Sequence, residues 1–166
     1  MNDIDILISE VGPRDGLQSA GATMHSEAKK QWLRAEAAAG VREIEVGSFV
    51  PATVIPQLAD TAEMVGFAKT LDKLTVAVLV PNLKGAENAV AAGADKISIP
   101  FSVSETHSLK NVKRDHAQMF AEVKNISTML ATLDADTRPH FEAGLSTAFG
   151  CTLEGPIAEQ QVVDSA

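Results

Sequence analysis

The sequence has a single cysteine, few basic residues and no apolar run of membrane-spanning length. Cys151 has no second cysteine to pair with, which excludes an internal disulfide and a cysteine-based zinc cage. The histidines show neither His-x-His nor His-Glu-x-x-His spacing, so no histidine metal motif is visible. The first residues lack the basic start and apolar segment of a signal peptide, and no stretch reaches the roughly 20 apolar residues of a transmembrane helix. We therefore expect a soluble protein of a reducing, cytoplasmic compartment.

Acidic residues outnumber basic ones, with 22 Asp and Glu against 14 Lys and Arg and a formal net charge of −8. Phosphate backbones and anionic lipids attract positive charge, so this balance argues against a nucleic-acid-binding or membrane-surface protein. A local basic pocket for an anionic metabolite is still compatible with it. The length of 166 residues and the hydrophobic content of 45% are typical of one globular domain with a real core.

Five β-like segments alternate with helical patterns along the chain. In the first helical pattern Ala28, Trp32, Ala35 and Ala39 recur at helical spacing, which predicts that they share one face. Strict alternation without a hairpin signal predicts βαβ units with right-handed crossovers and a parallel sheet. The predicted strands are 4–10, 43–46, 74–80, 96–99 and 140–145, and the predicted helices are 26–39, 60–71, 83–92, 115–133 and a last one from Pro156.

Two α/β architectures fit this alternation: a doubly wound open sheet and part of a (β/α) barrel. The turn after the first strand reads Gly12-Pro13-Arg14-Asp15-Gly16-Leu17-Gln18, which is no dinucleotide-binding fingerprint, and the chain carries no Walker A sequence. Periodicity alone leaves both architectures open.

Polar side chains follow the end of every predicted strand. The carboxyl ends of parallel strands meet at one edge of the sheet, and both architectures place their functional sites there. We therefore predict a site at that edge. The residues concerned are Arg14, Asp15, Gln18, Ser48, Asn82, Ser104, His107, Ser146, Thr147 and Cys151.

Three charged residues each have a purely structural and a functional interpretation. Arg14 and Asp15 could be a self-paired surface turn, or a guanidinium for an anionic oxygen beside a carboxylate for a hard cation. Glu45 lies inside an apolar strand, where a buried carboxylate is either functional or merely paired with Arg14. Cys151 is interpreted as a small buried hydrophobe.

Several motifs resemble one family in order along nearly the whole chain. The motifs are Val11-Gly12-Pro13-Arg14-Asp15-Gly16-Leu17-Gln18, Ile44-Glu45-Val46-Gly47-Ser48-Phe49-Val50, Val80-Pro81-Asn82-Leu83-Lys84-Gly85, Ser104-Glu105-Thr106-His107 and Ser146-Thr147-Ala148-Phe149-Gly150-Cys151. Taken together, they resemble the hydroxymethylglutaryl-CoA lyases, which belong to the metal-dependent TIM-barrel lyases and Claisen-type synthases.

The resemblance implies a partial TIM barrel of about five βα units within a single domain, 1–166. It also implies cleavage of 3-hydroxy-3-methylglutaryl-CoA to acetyl-CoA and acetoacetate with Mg²⁺ or Mn²⁺. By position Asp15 corresponds to a metal ligand, Arg14 to the cation that stabilises the enolate, and Glu45 to the glutamate that supports the site. The residues assigned to substrate binding are Arg14, Gln18, Ser48, Asn82 and Ser104.

The chain also departs from the family pattern. A complete barrel has eight strands, and the family's His-x-His pair, a later asparagine and the loop with the catalytic cysteine have no counterpart here. Ala59-Asp60-Thr61 replaces the usual Gly-Asp-His. Two alternatives are a lyase for another 3-hydroxyacyl-CoA and a non-catalytic half-barrel that binds ligand or pairs with another chain. We expect self-association, because a half-barrel leaves strand edges open.

Overall fold

A computed structural model describes residues 6–166, which contain five strands and six helices. Two tight turns accompany them, a π-helical turn at Gly12–Gly16 and a 3-10 turn at Pro56–Leu58. None of the helices in this part of the chain is long and apolar enough to cross a membrane. The strands are β1 (Ser9–Glu10), β2 (Glu43–Ser48), β3 (Thr75–Leu79), β4 (Lys96–Ser102) and β5 (His140–Ser146), and the helices are α1 (Ser26–Ala38), α2 (Thr61–Ala68), α3 (Leu83–Ala92), α4 (Glu105–Asn111), α5 (His116–Ala131) and α6 (Glu159–Ser165).

The strands form one parallel sheet in the order β1-β2-β3-β4-β5. A doubly wound sheet reverses its strand order at a switch point, whereas a barrel adds each strand beside the previous one. The sequential order therefore selects the barrel architecture. Residues of β1 and β5 line the same cavity as residues of the three middle strands, so the sheet is curled into a half-barrel.

Alternate residues of the strands face opposite sides of this curled sheet. Ile44, Val76, Val78, Ile97 and Ile99 are buried against the helices and form the centre of the apolar core. The helices contribute Leu33, Met64, Val65, Ala86, Ala89, Met119, Ile126 and Leu130. The inward-facing residues of the same strands are mostly polar, and they line the cavity that holds the candidate site.

The first strand is shorter than predicted. Within the described residues, Ile6, Leu7 and Ile8 are exposed and lie outside the strand, while Ile4 and Asp5 lie outside the described part of the chain. Pairing with β2 is limited to Ser9 and Glu10, so the apolar alternation before them has no sheet to join.

Helix α1 begins as predicted at Ser26, but its buried face is not the one suggested by the alanine spacing. Lys29 and Leu33 are buried, while Ala28 and Ala35 are exposed. Leucine gains far more than alanine from leaving water, and the Lys29 ammonium lies between Asp60 Oδ1 at 2.5 Å and the Gln57 carbonyl oxygen at 2.6 Å. These two contacts fix the rotation of the helix.

The remaining elements follow the predictions closely, with one addition. The third helix has the predicted bounds 83–92, and Gly93 ends it with a positive φ of 84°. The segment predicted as a polar loop after β4 contains the short helix α4. Ser104 caps that helix by accepting a hydrogen bond from the His107 backbone N–H at 3.0 Å.

Candidate functional site

The π-helical turn directs Arg14 towards the cavity. The backbone N–H groups of Arg14 and Asp15 both donate to the Val11 carbonyl oxygen, at 3.1 and 2.7 Å. A side chain at Gly12 would place its Cβ 2.7 Å from Glu10 Oε1 and 3.0 Å from the Trp32 ring, so a larger residue would displace the Glu10 side chain and crowd the indole. The turn is therefore a shaped structure and not a loose surface loop.

Arg14 is anchored by a buried carboxylate from the neighbouring strand. Its Nε donates to Glu45 Oε2 at 2.5 Å, and Glu45 is only 5% exposed. The other carboxylate oxygen, Oε1, accepts a hydrogen bond from Ser98 Oγ at 2.8 Å. Both predicted members of this pair are thus brought together, and Ser98 is a partner that sequence reasoning missed.

The guanidinium of Arg14 has N–H donors that the described residues do not use. Its Nη1 donates to Asp15 Oδ1 at 2.8 Å, and its Nη2 makes no hydrogen bond to any residue in the described range 6–166. Arginine carries five N–H donors in a rigid plane, so fixing Nε leaves the opposite side of the plane available to an anionic oxygen. This arrangement can stabilise negative charge that develops on a bound substrate.

Asp15 lies beside Arg14 with its side chain 57% exposed. Its Oδ1 accepts hydrogen bonds from Arg14 and from Gln18 Nε2, each at 2.8 Å. A hard divalent cation prefers several oxygen ligands. Across residues 6–166 no group of three or more His, Cys, Asp or Glu side chains is placed to hold a metal. Asp15 fits as one ligand, but these residues do not form a complete metal site.

A second layer of charge lies deeper in the cavity, whose volume is about 430 Å³. Lys96 Nζ bridges Glu142 at 2.8 Å and Glu43 at 3.1 Å. Burial by itself lowers the pKa of Lys96, but the hydrogen bonds to Glu142 and Glu43 outweigh it and raise the pKa above its ordinary value. The ammonium is therefore fully charged and fixed beneath the Arg14–Glu45 pair.

Ser48 and Asn82 line a separate cavity of about 260 Å³ between the ends of β2 and β3. The Ser48 hydroxyl accepts from the Val50 N–H at 3.2 Å, and Asn82 Oδ1 caps α3 by accepting from the Gly85 N–H at 2.9 Å. Gln18, in contrast, lies with Arg14 and Asp15. The predicted substrate-binding residues thus occupy neighbouring parts of one sheet edge, as the strand-end rule indicates.

The ends of β4 and β5 carry a third polar group. Ser102 Oγ lies 2.8 Å from His107 Nδ1 and 3.1 Å from Ser146 Oγ, and Ser104 is fully buried as the cap of α4. A hydrogen bond from Ser104, together with the Leu153 backbone N–H, lowers the pKa of the Cys151 thiol. Cys151 is buried, in keeping with its interpretation as a small hydrophobe.

Sequence reasoning missed two residues that complete the site, Ser98 and Lys96. Both alternate with Ile97 and Ile99 in β4, and polar residues at every second position of a strand whose other face is apolar are the signal that was available. Glu142 lies in β5, and Lys96 is its partner in this cavity.

Known proteins resemble this chain over nearly its whole length. The HMGL-like family model matches residues 5–166. The hydroxymethylglutaryl-CoA lyase YngG of Bacillus subtilis is 35% identical over 161 residues, which cover 95% of this chain and 52% of the relative. The cytoplasmic 3-hydroxy-3-methylglutaryl-CoA lyase of Rattus norvegicus is 34% identical over 96% of this chain and 45% of its own length. The chain thus spans about half the length of the curated relatives it matches.

Solved structures show the same fold. The HMG-CoA lyase of Bacillus subtilis aligns with a TM-score of 0.88 and 32% identity, over 96% of this chain and 52% of that one. The enzyme of Acinetobacter baumannii, determined with coenzyme A and 3-methylmalate, aligns with a TM-score of 0.87 and 34% identity, over 95% of this chain and 50% of that one. The curled five-stranded sheet therefore corresponds to about half the length of each of those solved chains.

Proposed function

This chain belongs to the HMGL-like family, and on that premise we propose that it supplies the Arg14–Glu45 half of a lyase site that cleaves 3-hydroxy-3-methylglutaryl-CoA. The products are acetyl-CoA and acetoacetate. The proposal depends above all on one observation, the Arg14 guanidinium anchored on buried Glu45 with donors in reserve at the carboxyl edge of the sheet.

The proposed reaction develops negative charge on the thioester oxygen, and Arg14 stabilises that charge. A base takes the proton of the tertiary hydroxyl, the bond between C3 and C2 breaks, and its electron pair passes into the thioester to give the enolate of acetyl-CoA. C3 becomes the ketone of acetoacetate, and protonation at C2 completes acetyl-CoA. Arg14 donates to the enolate oxygen, and because Glu45 already holds the guanidinium in place, little reorganisation accompanies the reaction.

The other predicted residues take supporting roles in the proposal. Gln18 orients Asp15 beside Arg14, and Ser48 and Asn82 bind substrate from the neighbouring cavity that they line. Ser104, which the sequence assigned to substrate binding, is fully buried and supports the site only as the cap of α4. The coenzyme A and 3-methylmalate bound by the Acinetobacter enzyme belong to the proposed substrate chemistry, a CoA thioester and a hydroxy acid. A cytoplasmic location is proposed as well, as in the name of the rat relative.

Asp15 is proposed to contribute one oxygen ligand to Mg²⁺ or Mn²⁺. The exposed carboxylate beside Arg14 suits such a role. A divalent cation bound there would polarise substrate oxygen atoms as a Lewis acid. Further ligands are needed, because residues 6–166 hold no group of three or more His, Cys, Asp or Glu side chains placed for a metal ion.

A chimeric enzyme tests the proposed activity. Residues 6–166 replace the matched half of the Bacillus subtilis lyase, which shares 35% identity with this chain. The purified chimera is supplied with Mn²⁺ and 3-hydroxy-3-methylglutaryl-CoA, and acetoacetate and acetyl-CoA are measured. We expect both products in equal amounts. The control replaces Glu45 by glutamine, which removes the charge that anchors Arg14 and should abolish most of the turnover.

The outcome is decisive only when the chimera is folded. Circular dichroism and a cooperative melt establish that, and Mn²⁺ binding establishes that the metal site is complete. A folded, metal-loaded chimera that cleaves a different 3-hydroxyacyl-CoA would change the substrate in the proposal. One that cleaves none of them would overturn it and favour a binding role for the half-barrel.

A further inference from the structure

The carboxylate of Glu45 is held at both oxygens by partners from opposite sides. Oε2 accepts from Arg14 Nε at 2.5 Å, and Oε1 accepts from Ser98 Oγ at 2.8 Å. Ser98 lies on β4, whereas Glu45 lies on β2, and β3 runs between these two strands. The contact therefore spans the sheet and depends on its curl.

A small residue on β3 makes this contact possible. Ala77 is the register partner of Glu45 on one side and of Lys96 on the other, and it faces the same cavity. Its methyl group leaves room for side chains of β2 and β4 to meet above it. A larger residue at that position would separate them.

Ser98 is the donor that fixes Oε1 because the nearby cation is committed elsewhere. Lys96 Nζ is engaged with Glu142 at 2.8 Å and Glu43 at 3.1 Å. The charged groups that line this cavity together with Glu45 are Arg14, Glu43, Lys96 and Glu142. Without the Ser98 hydroxyl, only the contact of Oε2 with Arg14 would restrain the Glu45 carboxylate about its last torsion, which has a broad energy minimum.

We propose that Ser98 is a positioning residue, which sets the Arg14 guanidinium by holding Glu45 in one orientation. Its catalytic consequence rests on the proposed function, but its effect on Arg14 does not. Ser98 itself makes no contact with the reacting atoms in this proposal and acts only through Glu45.

The test uses the 166-residue chain and three substitutions. Ser98→Ala removes the hydroxyl, Ser98→Thr keeps it on a side chain suited to a strand, and Ser98→Cys keeps the shape with a much weaker donor. Ser108→Ala is the matched control: Ser108 is fully buried, and its hydroxyl donates to the Arg114 carbonyl oxygen at 2.7 Å, away from Arg14. It removes one serine hydroxyl hydrogen bond of similar length, made to a backbone carbonyl oxygen.

The readout is the exchange of the Arg14 Nε–H with solvent, followed by NMR in ¹⁵N-labelled protein and assigned with Arg14→Lys. We expect exchange to be about tenfold faster in Ser98→Ala, because the carboxylate that protects this N–H has lost its second anchor. Ser98→Thr should restore protection, Ser98→Cys should be intermediate, and Ser108→Ala should leave exchange unchanged. Unchanged exchange in Ser98→Ala, or in Ser98→Cys should the alanine variant not fold, would overturn the proposal.

The chimeric lyase gives a second, separate measurement. In it we expect Ser98→Ala to lower kcat about tenfold with KM nearly constant, and Ser98→Thr to recover most of the loss. If the wild-type chimera is inactive, the proposed function fails while the exchange result still decides the role of Ser98. If exchange responds but kcat does not, Ser98 orients Arg14 without a consequence for the reaction, and the positioning role in catalysis is wrong.

Discussion

Arg14 is held by two carboxylates that differ in their surroundings. Glu45 is buried, so its contact with Nε is shielded from solvent, whereas Asp15 is exposed and its contact with Nη1 is screened. The buried contact therefore determines where the guanidinium lies, and the exposed contact leaves Asp15 free to bind another cation.

Replacing Arg14 by glutamine in the chimeric lyase tests this division. We expect kcat to fall roughly 100- to 1000-fold, the range for loss of one preorganised donor to a developing oxyanion. Mn²⁺ affinity should stay near that of the unsubstituted chimera, because Asp15 is retained. Steady-state kinetics and metal titration measure the two effects. A variant with nearly unchanged kcat would contradict the role of Arg14.

Gly47 is a residue whose missing side chain matters. A Cβ there would lie 2.4 Å from Thr61 Oγ1, and that hydroxyl donates to the Leu58 carbonyl oxygen and accepts from the Ser48 backbone N–H. We expect Gly47→Ala to lower the free energy of unfolding by about 1–3 kcal/mol, because the buried threonine cannot move away without losing hydrogen bonds.

Gly66 provides the matched control for this substitution. It lies within α2, and a Cβ there would meet nothing within 4 Å. Gly66→Ala should raise the free energy of unfolding by about 0.5–1 kcal/mol, since alanine favours the helix. Urea denaturation of both variants checks the pair, and an equal effect of the two substitutions would show that the close approach at Gly47 is not the cause.

At the scale of elements, the Lys96 side chain links three strands, whereas each backbone hydrogen bond of the sheet links only two neighbouring strands. It lies on β4 and contacts Glu43 on β2 and Glu142 on β5. Lys96→Met keeps the length of the side chain but leaves both carboxylates without their cation. We expect the free energy of unfolding near neutral pH to fall by about 2 kcal/mol, between the values for exposed and for buried ion pairs.

The pH dependence of this difference follows from the raised pKa of Lys96. A group whose pKa is higher in the folded state stabilises the protein fully below its unfolded value, here 10.5, and loses that contribution as the pH rises through the folded value. The gap between wild type and Lys96→Met should therefore persist at about pH 9 and shrink at about pH 11.5 in urea denaturation. A gap that stays constant over this range would contradict the ion-pair explanation.

At the scale of the whole molecule, the sheet has two edges that nothing in residues 6–166 covers. Strands β1 and β5 each pair on one side only in this part of the chain, and Ile6 and Ile8 beside β1 are 78% and 76% exposed. The net charge of −8 opposes association, but salt screens it beyond roughly 8 Å. Burial of a few hundred Å² of apolar surface at about 25 cal/mol per Å² outweighs that repulsion.

We therefore expect dimers or larger assemblies of this chain. Sedimentation velocity at low micromolar concentration measures them. A control with Ile6 and Ile8 both changed to lysine should shift the distribution towards the monomer, because like charges then meet at the edge. A single compact species at the monomer mass in the unsubstituted chain would show that the half-barrel protects its own edges.

Metal binding is a property of the whole site and not of Asp15 alone. With Asp15 as one exposed carboxylate, the 166-residue chain should bind Mn²⁺ weakly and release no acetoacetate by itself. Isothermal titration with the chain and with Asp15→Asn checks this, and the weak heat should disappear in the variant. Micromolar or tighter binding by the chain, or acetoacetate production, would contradict this expectation.

The sequence by itself determined the alternating elements, the parallel sheet and the edge where the polar residues collect. These features follow from local patterns, such as the apolar strand around Val78 and the glycine that ends α3. The strand-end rule and the family resemblance also placed Arg14, Asp15 and Glu45 at one site, and the structure brings Arg14 into contact with both carboxylates. Periodicity could not choose between open sheet and barrel, because both contain the same local elements.

Only the tertiary structure decided the strand order, the rotation of α1 and the inner polar network. Leu33 and Lys29 face inward because of the partners that surround them, which helical spacing cannot show. Ser98 and Glu45 are 53 residues apart, and they meet because the sheet curls over the small side chain of Ala77. Contacts of this kind depend on which strands come close in space and on the volume left between their side chains. A local pattern of residues specifies neither of these.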